Sequence, residues 1–144
     1  MEVSTNSAQK TQELAFKIAG DLKVGDIIAL QGDLGSGKTT FVQGLARALG
    51  VTRRVTSPTF VFVKSYPAQI NQQPTVLYHI DLYRSQSAHD VASLGLEDIV
   101  ADPNVVICVE WPEKAPELFQ RATIKISFYN ISDNIRRIVV DRNI

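Results

Sequence analysis

Gly32, Gly37, Lys38 and Thr39 stand in the spacing G-x-x-x-x-G-K-[ST], inside the run GDLGSGKTTF from Gly32 to Phe41. That spacing constrains the fold more than any other feature of the chain. Its glycines let successive backbone N–H groups turn inward around a phosphate. A helix starting near Lys38 aims its positive end at the same anion. Lys38 is placed to reach β- and γ-phosphates, and the Thr39 hydroxyl to take one position on an octahedral Mg²⁺. Asp33, Leu34, Gly35, Ser36 and Thr40 complete the loop and its first helical turn as nucleotide-binding candidates. Such a loop needs a buried strand before it and an amphipathic helix after it. DIIALQ (26–31) reads as the strand. KTTFVQGLARALG carries Phe41, Val42, Leu45, Ala48 and Leu49 at helical spacing, with Gly50 as the stop.

The rest of the pattern is α/β. Residues 8–20 hold Leu14 and Ile18 four apart, a short amphipathic helix. TFVFVKSY (59–66) and TVLYHIDLY (75–83) are β-branched and aromatic, and pair as antiparallel strands around PAQINQQP (67–74), which reads as a loop. A helical stretch over 87–100 breaks near Gly95, VVICVE (105–110) is a second buried strand, and PEKAPELF makes a helical turn or two. ATIKISFY (122–129) and IRRIVV (135–140) close the chain as a hairpin around NISDN. The expected fold is a P-loop NTPase-like three-layer sandwich, its mixed central sheet flanked by helices, formed by residues 1–144 as a single domain.

Composition narrows the function classes. Lys plus Arg equals Asp plus Glu at 15 each, which argues against broad electrostatic binding of nucleic acid. A basic stripe with interleaved aromatics is also missing. Cys108 is the one cysteine and lies in an apolar run, so it reads as a buried thiol compatible with a reducing cytoplasm. The N-terminus lacks a signal-peptide apolar segment, and no apolar run approaches the ~20 residues of a membrane helix.

Further polar groups stand where a phosphate-loop enzyme needs them. Glu110 ends the strand VVICVE, where P-loop proteins place an acid on the magnesium shell. Asp81, in HIDLYR, sits at another strand end, where it either solvates the sheet edge or orients a water or an outer magnesium ligand. Arg84 could meet phosphate or a partner, and His79 shares Asp81's face by strand alternation. SPTF (57–60) places Thr59 after a proline, either as a plain turn or as a γ-phosphate sensor that orders with ATP. NISD (130–133) has the Asn-to-Asp spacing of guanine readers but lacks their lysine, and D-x-x-G is absent, so ATP is favoured over GTP. The helix at 8–20 is a candidate adenine wall, with Thr11 as one contact.

With these residues in hand, the chain resembles the TsaE (YjeE) family of bacterial P-loop ATPases. GDLGSGKTTF, SPTF, YHIDLYR, LGLEDI and VEWPEK follow one another in the family's order, spanning residues 32 to 114. The resemblance implies a cytoplasmic role in making N6-threonylcarbamoyladenosine (t6A) at position 37 of certain tRNAs. It implies an ATPase that binds the TsaB–TsaD pair and resets it by hydrolysis, meeting tRNA only through that complex. By position, Lys38 and Thr39 would bind phosphate and magnesium, Glu110 would be the magnesium-binding acid, and Asp81 would be needed for hydrolysis. Thr59 would belong to a switch-like loop, and Trp111 would lie near the nucleotide or the partner surface. Arg136 and Arg137, in the tail, either bear on nucleotide or partner or decorate a plain edge strand. Two rivals share the phosphate loop: a small-molecule kinase, with Asp81 as base toward an acceptor hydroxyl, and a nucleotide-gated adaptor that does not hydrolyse.

Overall fold

A computed structural model of the chain describes residues 1–58, 62–92 and 94–142. Thr59, expected in a switch-like loop, lies outside them. One sheet organises the described residues. Its strands are β1 (Glu2–Thr5), β2 (Ile27–Gly32), β3 (Val63–Ile70), β4 (Gln73–Asp81), β5 (Val106–Glu110), β6 (Ile124–Asn130) and β7 (Arg136–Arg142), in the order β1-β7-β6-β2-β5-β4-β3. The four central strands β6, β2, β5 and β4 are mutually parallel, and the outer pairs are antiparallel. The mixed sheet expected from the sequence is therefore present.

Helices α1 (Ala8–Ala19) and α2 (Lys38–Ala48) cover one face. Leu14, Ile18, Phe41, Val42 and Leu45 pack there against Ile28, Leu30, Leu77, Cys108 and Ile126. The short helices α3 (Ala88–Ala92), α4 (Leu96–Ala101) and α5 (Pro116–Phe119) cover the other, where Val91, Leu96 and Phe119 meet Ile27, Ala29, Ile80, Ile107 and Val109. β2 and β5 are apolar at nearly every position because helices bury both their faces. α1 starts at Ser7, whose side chain accepts from the Lys10 N–H at 3.1 Å. α1 and α2 approach closely at Gly44, where an added Cβ would come within 2.8 Å of Gln12 Cα.

Two segments depart from the sequence reading. Residues 67–74 are not a loop: β3 and β4 continue through them, joined by a two-residue turn at Asn71 and Gln72, both at positive φ. The prolines are accommodated by register. Gln69 directs its N–H outward, to the Leu49 carbonyl, so Pro67 two residues earlier presents its missing donor on the same outer edge. Pro74 lies opposite Gln69, and β5 begins to pair with β4 only at Leu77, so no neighbour needs a proline donor there either. The polar N-terminus also forms a strand. β1 pairs with β7, and the Met1 amine donates to the Val140 carbonyl at 3.0 Å, so β7 is not an edge.

Candidate functional site

The carboxyl ends of all four parallel strands face one cavity of about 410 Å³. From β2 comes the phosphate loop. An added Cβ at Gly32 would lie 2.8 Å from both the Phe128 carbonyl oxygen and Ser36 Oγ, so only glycine lets the loop leave the sheet here. Gly37, at φ +103, opens α2 in the left-handed region. The first-turn N–H groups of α2 have no partners within the helix and face the cavity with Gly35 to Thr40. Ser36 Oγ is buried and has no hydrogen-bond partner among the described residues. The Lys38 ammonium donates to the Gly32 carbonyl and, at 3.3 Å, to that of Asp33, while lying 4.2 Å from the centre of the Trp111 indole. Burial lowers the Lys38 pKa below its ordinary value, and the Glu110, Asp81, Glu113 and Asp33 carboxylates oppose that shift. Asp33 thus enters through its carbonyl, and Leu34 sits exposed at the lip.

β5 and β4 deliver the acids. Glu110 and Asp81 are register partners at adjacent strand ends. The Thr39 hydroxyl donates to Glu110 Oε2 at 3.3 Å. His79 Nε2 lies 2.6 Å from that same oxygen. Asp81 accepts from the Ser57 hydroxyl at 2.9 Å and from the Tyr83 N–H at 3.0 Å. Among the described residues no three His, Cys, Asp or Glu side chains converge as a metal site. Mg²⁺ does not need three, because it is commonly held by one or two protein oxygens with phosphates and water completing the shell. The hard oxygens of Thr39 and Glu110 beside a phosphate-sized cradle fit that donor set.

β6 leads to the other end. Its turn into β7 brings Asp133 and Asn134 to the cavity, opposite Ser7, Ala8 and Thr11 at the start of α1. Arg136 holds this turn by donating to the Ser132 carbonyl at 2.8 Å, and reaches the Gly35 carbonyl of the phosphate loop at 3.3 Å. Thr11 is buried, its hydroxyl 2.9 Å from that of Thr5.

The site therefore gathers Gly35, Ser36, Gly37, Lys38, Thr39, Thr40, Asp81, Glu110, Trp111 and Thr11 in one cavity. Arg84 is exposed and does not line it. Arg137 points elsewhere, pairing with Glu2 at 2.6 Å and stacking on Tyr129. Ser57 was missed although it begins SPTF, because its role depends on a contact 24 residues away. Asp133 and Asn134 lie in the NISDN turn, which the sequence weighs as a guanine reader and assigns to a hairpin; the turn joins β6 to β7 and also lines the cavity. Trp111 holds a left-handed backbone, φ +60, that costs a non-glycine residue on the order of 1 kcal/mol or more. Its ring stacks on Tyr83 with centroids 5.1 Å apart.

Comparison with known proteins agrees with this arrangement. The tRNA threonylcarbamoyladenosine biosynthesis protein TsaE of Treponema pallidum is 34% identical over 140 residues, covering 97% of this chain and 99% of that one. The Bacillus subtilis protein of the same name is 37% identical over 134 residues, covering 93% and 80%. The crystal structure of Bacillus subtilis YdiB superimposes with a TM-score of 0.80 at 31% identity, over 99% of this chain and 84% of that one. The family model described as threonylcarbamoyl adenosine biosynthesis protein TsaE matches residues 5–139, and the chain belongs to the TsaE family.

Proposed function

We propose that this chain is the ATPase of a t6A-forming system: it binds ATP with Mg²⁺ in the cavity, hydrolyses it, and so resets a TsaB–TsaD complex between turnovers. One observation carries the reading: the phosphate loop, the Thr39 hydroxyl and the carboxylates of Glu110 and Asp81 share a single cavity at the strand ends. The relatives' printed names, tRNA threonylcarbamoyladenosine biosynthesis proteins, support the pathway.

In this reading the α2 N-terminus and the loop N–H groups hold the β- and γ-phosphates. Lys38 turns its donors from the Gly32 and Asp33 carbonyls to the phosphate. Thr39 and Glu110 hold Mg²⁺, whose charge would screen the phosphate oxygens in the transition state. Asp81, held at both oxygens by Ser57 and Tyr83, orients the attacking water. The Trp111 and Tyr83 rings shield the γ-phosphate end from bulk water. The turn at Asp133 and Asn134, with Ser7, Ala8 and Thr11, receives the nucleoside.

Labelled ATP offered with water alone and with a panel of hydroxyl acceptors tests the reaction type. Label released as inorganic phosphate, lost in Lys38→Ala and Glu110→Ala, is expected. Transfer to a small molecule would make the chain a kinase. Tight nucleotide binding without phosphate release, alone or with partners, would make it a nucleotide-gated adaptor.

A further inference from the structure

His79 is fully buried, an unusual place for an imidazole that serves no purpose. It lies on β4 two residues below the strand end, opposite Cys108, while Asp81 lies opposite Glu110. By strand alternation His79, like Leu77 and Cys108, faces α2. Its Nε2 is 2.6 Å from Glu110 Oε2, while the Thr39 hydroxyl straddles the carboxylate, 3.3 Å from Oε2 and 3.5 Å from Oε1. Nδ1 is buried with no hydrogen-bond partner among the described residues, so Glu110 is the polar group this ring serves. A carboxylate partner makes Nε2 the nitrogen that carries hydrogen.

We infer that His79 is a positioning residue: its Nε2–H clamps Oε2 of Glu110 from beneath, fixing the carboxylate rotamer so that the other oxygen, Oε1, is presented to the metal beside Thr39. This rests on the proposed Mg²⁺–nucleotide site and adds a residue to it. Glutamate needs such a clamp more than aspartate would, because its extra side-chain torsion must otherwise be frozen when the metal binds. Hydrogen-bonding partners of metal ligands typically contribute 10–100-fold to metal affinity or activity.

The test compares wild type with His79→Gln, whose amide nitrogen reaches the place of Nε2, and with His79→Asn and His79→Leu, which have no donor there. Mn²⁺ binding in the presence of ATP, read by electron paramagnetic resonance, and the Mg²⁺ concentration giving half-maximal phosphate release are measured. ATP affinity in EDTA and thermal unfolding serve as controls. His79→Asn and His79→Leu are expected to need roughly 10-fold more metal or above, with ATP affinity in EDTA unchanged, and His79→Gln to recover most of the loss. Should His79→Leu fail to fold, the contrast between His79→Gln and His79→Asn decides. Metal dependence equal to wild type in a folded His79→Asn, or an equal loss in His79→Gln and His79→Asn, would overturn the inference. A wild type whose ATP binding and hydrolysis ignore Mg²⁺ would instead overturn the metal site itself, and the clamp with it.

Discussion

Lys38 and Glu110 line one cavity, and substituting them separates the two roles proposed for them, phosphate binding and metal binding. Lys38→Ala removes the cation proposed to meet the phosphates and is expected to weaken ATP binding and abolish phosphate release, as equilibrium titration and a release assay will show. Glu110→Gln keeps the shape but loses the charge that, in the proposed site, would hold the metal. It is expected to keep Mg²⁺-free ATP affinity while lowering turnover by at least about 100-fold. Ser57→Ala frees one oxygen of Asp81 and is expected to lower kcat by about 10-fold with little change in KM, since Ser57 fixes an orientation. Cys108 offers a check on burial. Desolvation pushes its thiol pKa well up, with the Glu110 carboxylate adding to the shift, so it stays protonated at neutral pH. Ellman's reagent is expected to react with it only as fast as the protein unfolds; rapid labelling of the folded chain would show the β5 face to be open. At this scale the acids were legible, because an acid at the end of an apolar strand is visible in the sequence. The partners of those acids were not: the β4–β5 register brings His79 to Glu110, and the path of the segment before β3 brings Ser57 to Asp81, 24 residues away.

The elements show where local pattern and tertiary context diverge. The loop–helix unit was readable because strand, glycines and helix are contiguous. The hairpin over β3 and β4 was not, because Pro67 and Pro74 look like strand breakers until their register places both on sides without a hydrogen-bonding neighbour. The short polar β1 carries no strand periodicity and is specified by pairing with β7. Each difference has a stability consequence. Gln72 holds φ +66, so Gln72→Gly relieves a left-handed conformation and is expected to stabilise the hairpin by about 0.5–1 kcal/mol in chemical denaturation. Gly44→Ala forces a methyl within 2.8 Å of the α1 backbone and is expected to cost about 1–3 kcal/mol in the same experiment. Because α1 carries Thr11 and α2 the phosphate loop, the same substitution is expected to weaken ATP binding as the two helices part.

At the scale of the whole molecule, topology explains how one cavity is built at the strand ends. Parallel strands send their carboxyl ends in one direction, so β2, β5, β4 and the β6–β7 turn deliver the glycine loop, Glu110, Asp81 and Asp133 to one rim. α1 and α2 close one side of it, and the Trp111–Tyr83 stack lies beside the acids. Among the described residues no helix is long and apolar enough to cross a membrane. The balanced charge offers little general attraction for tRNA, which fits the proposal that tRNA is met only through partner proteins. The most direct measurement of the central claim is phosphate release from ATP and Mg²⁺ by this chain alone and then with a TsaB–TsaD pair from the same organism. The account predicts slow release alone and marked stimulation by the pair, lost in Lys38→Ala and Glu110→Ala. Absence of both stimulation and binding to that pair would contradict it.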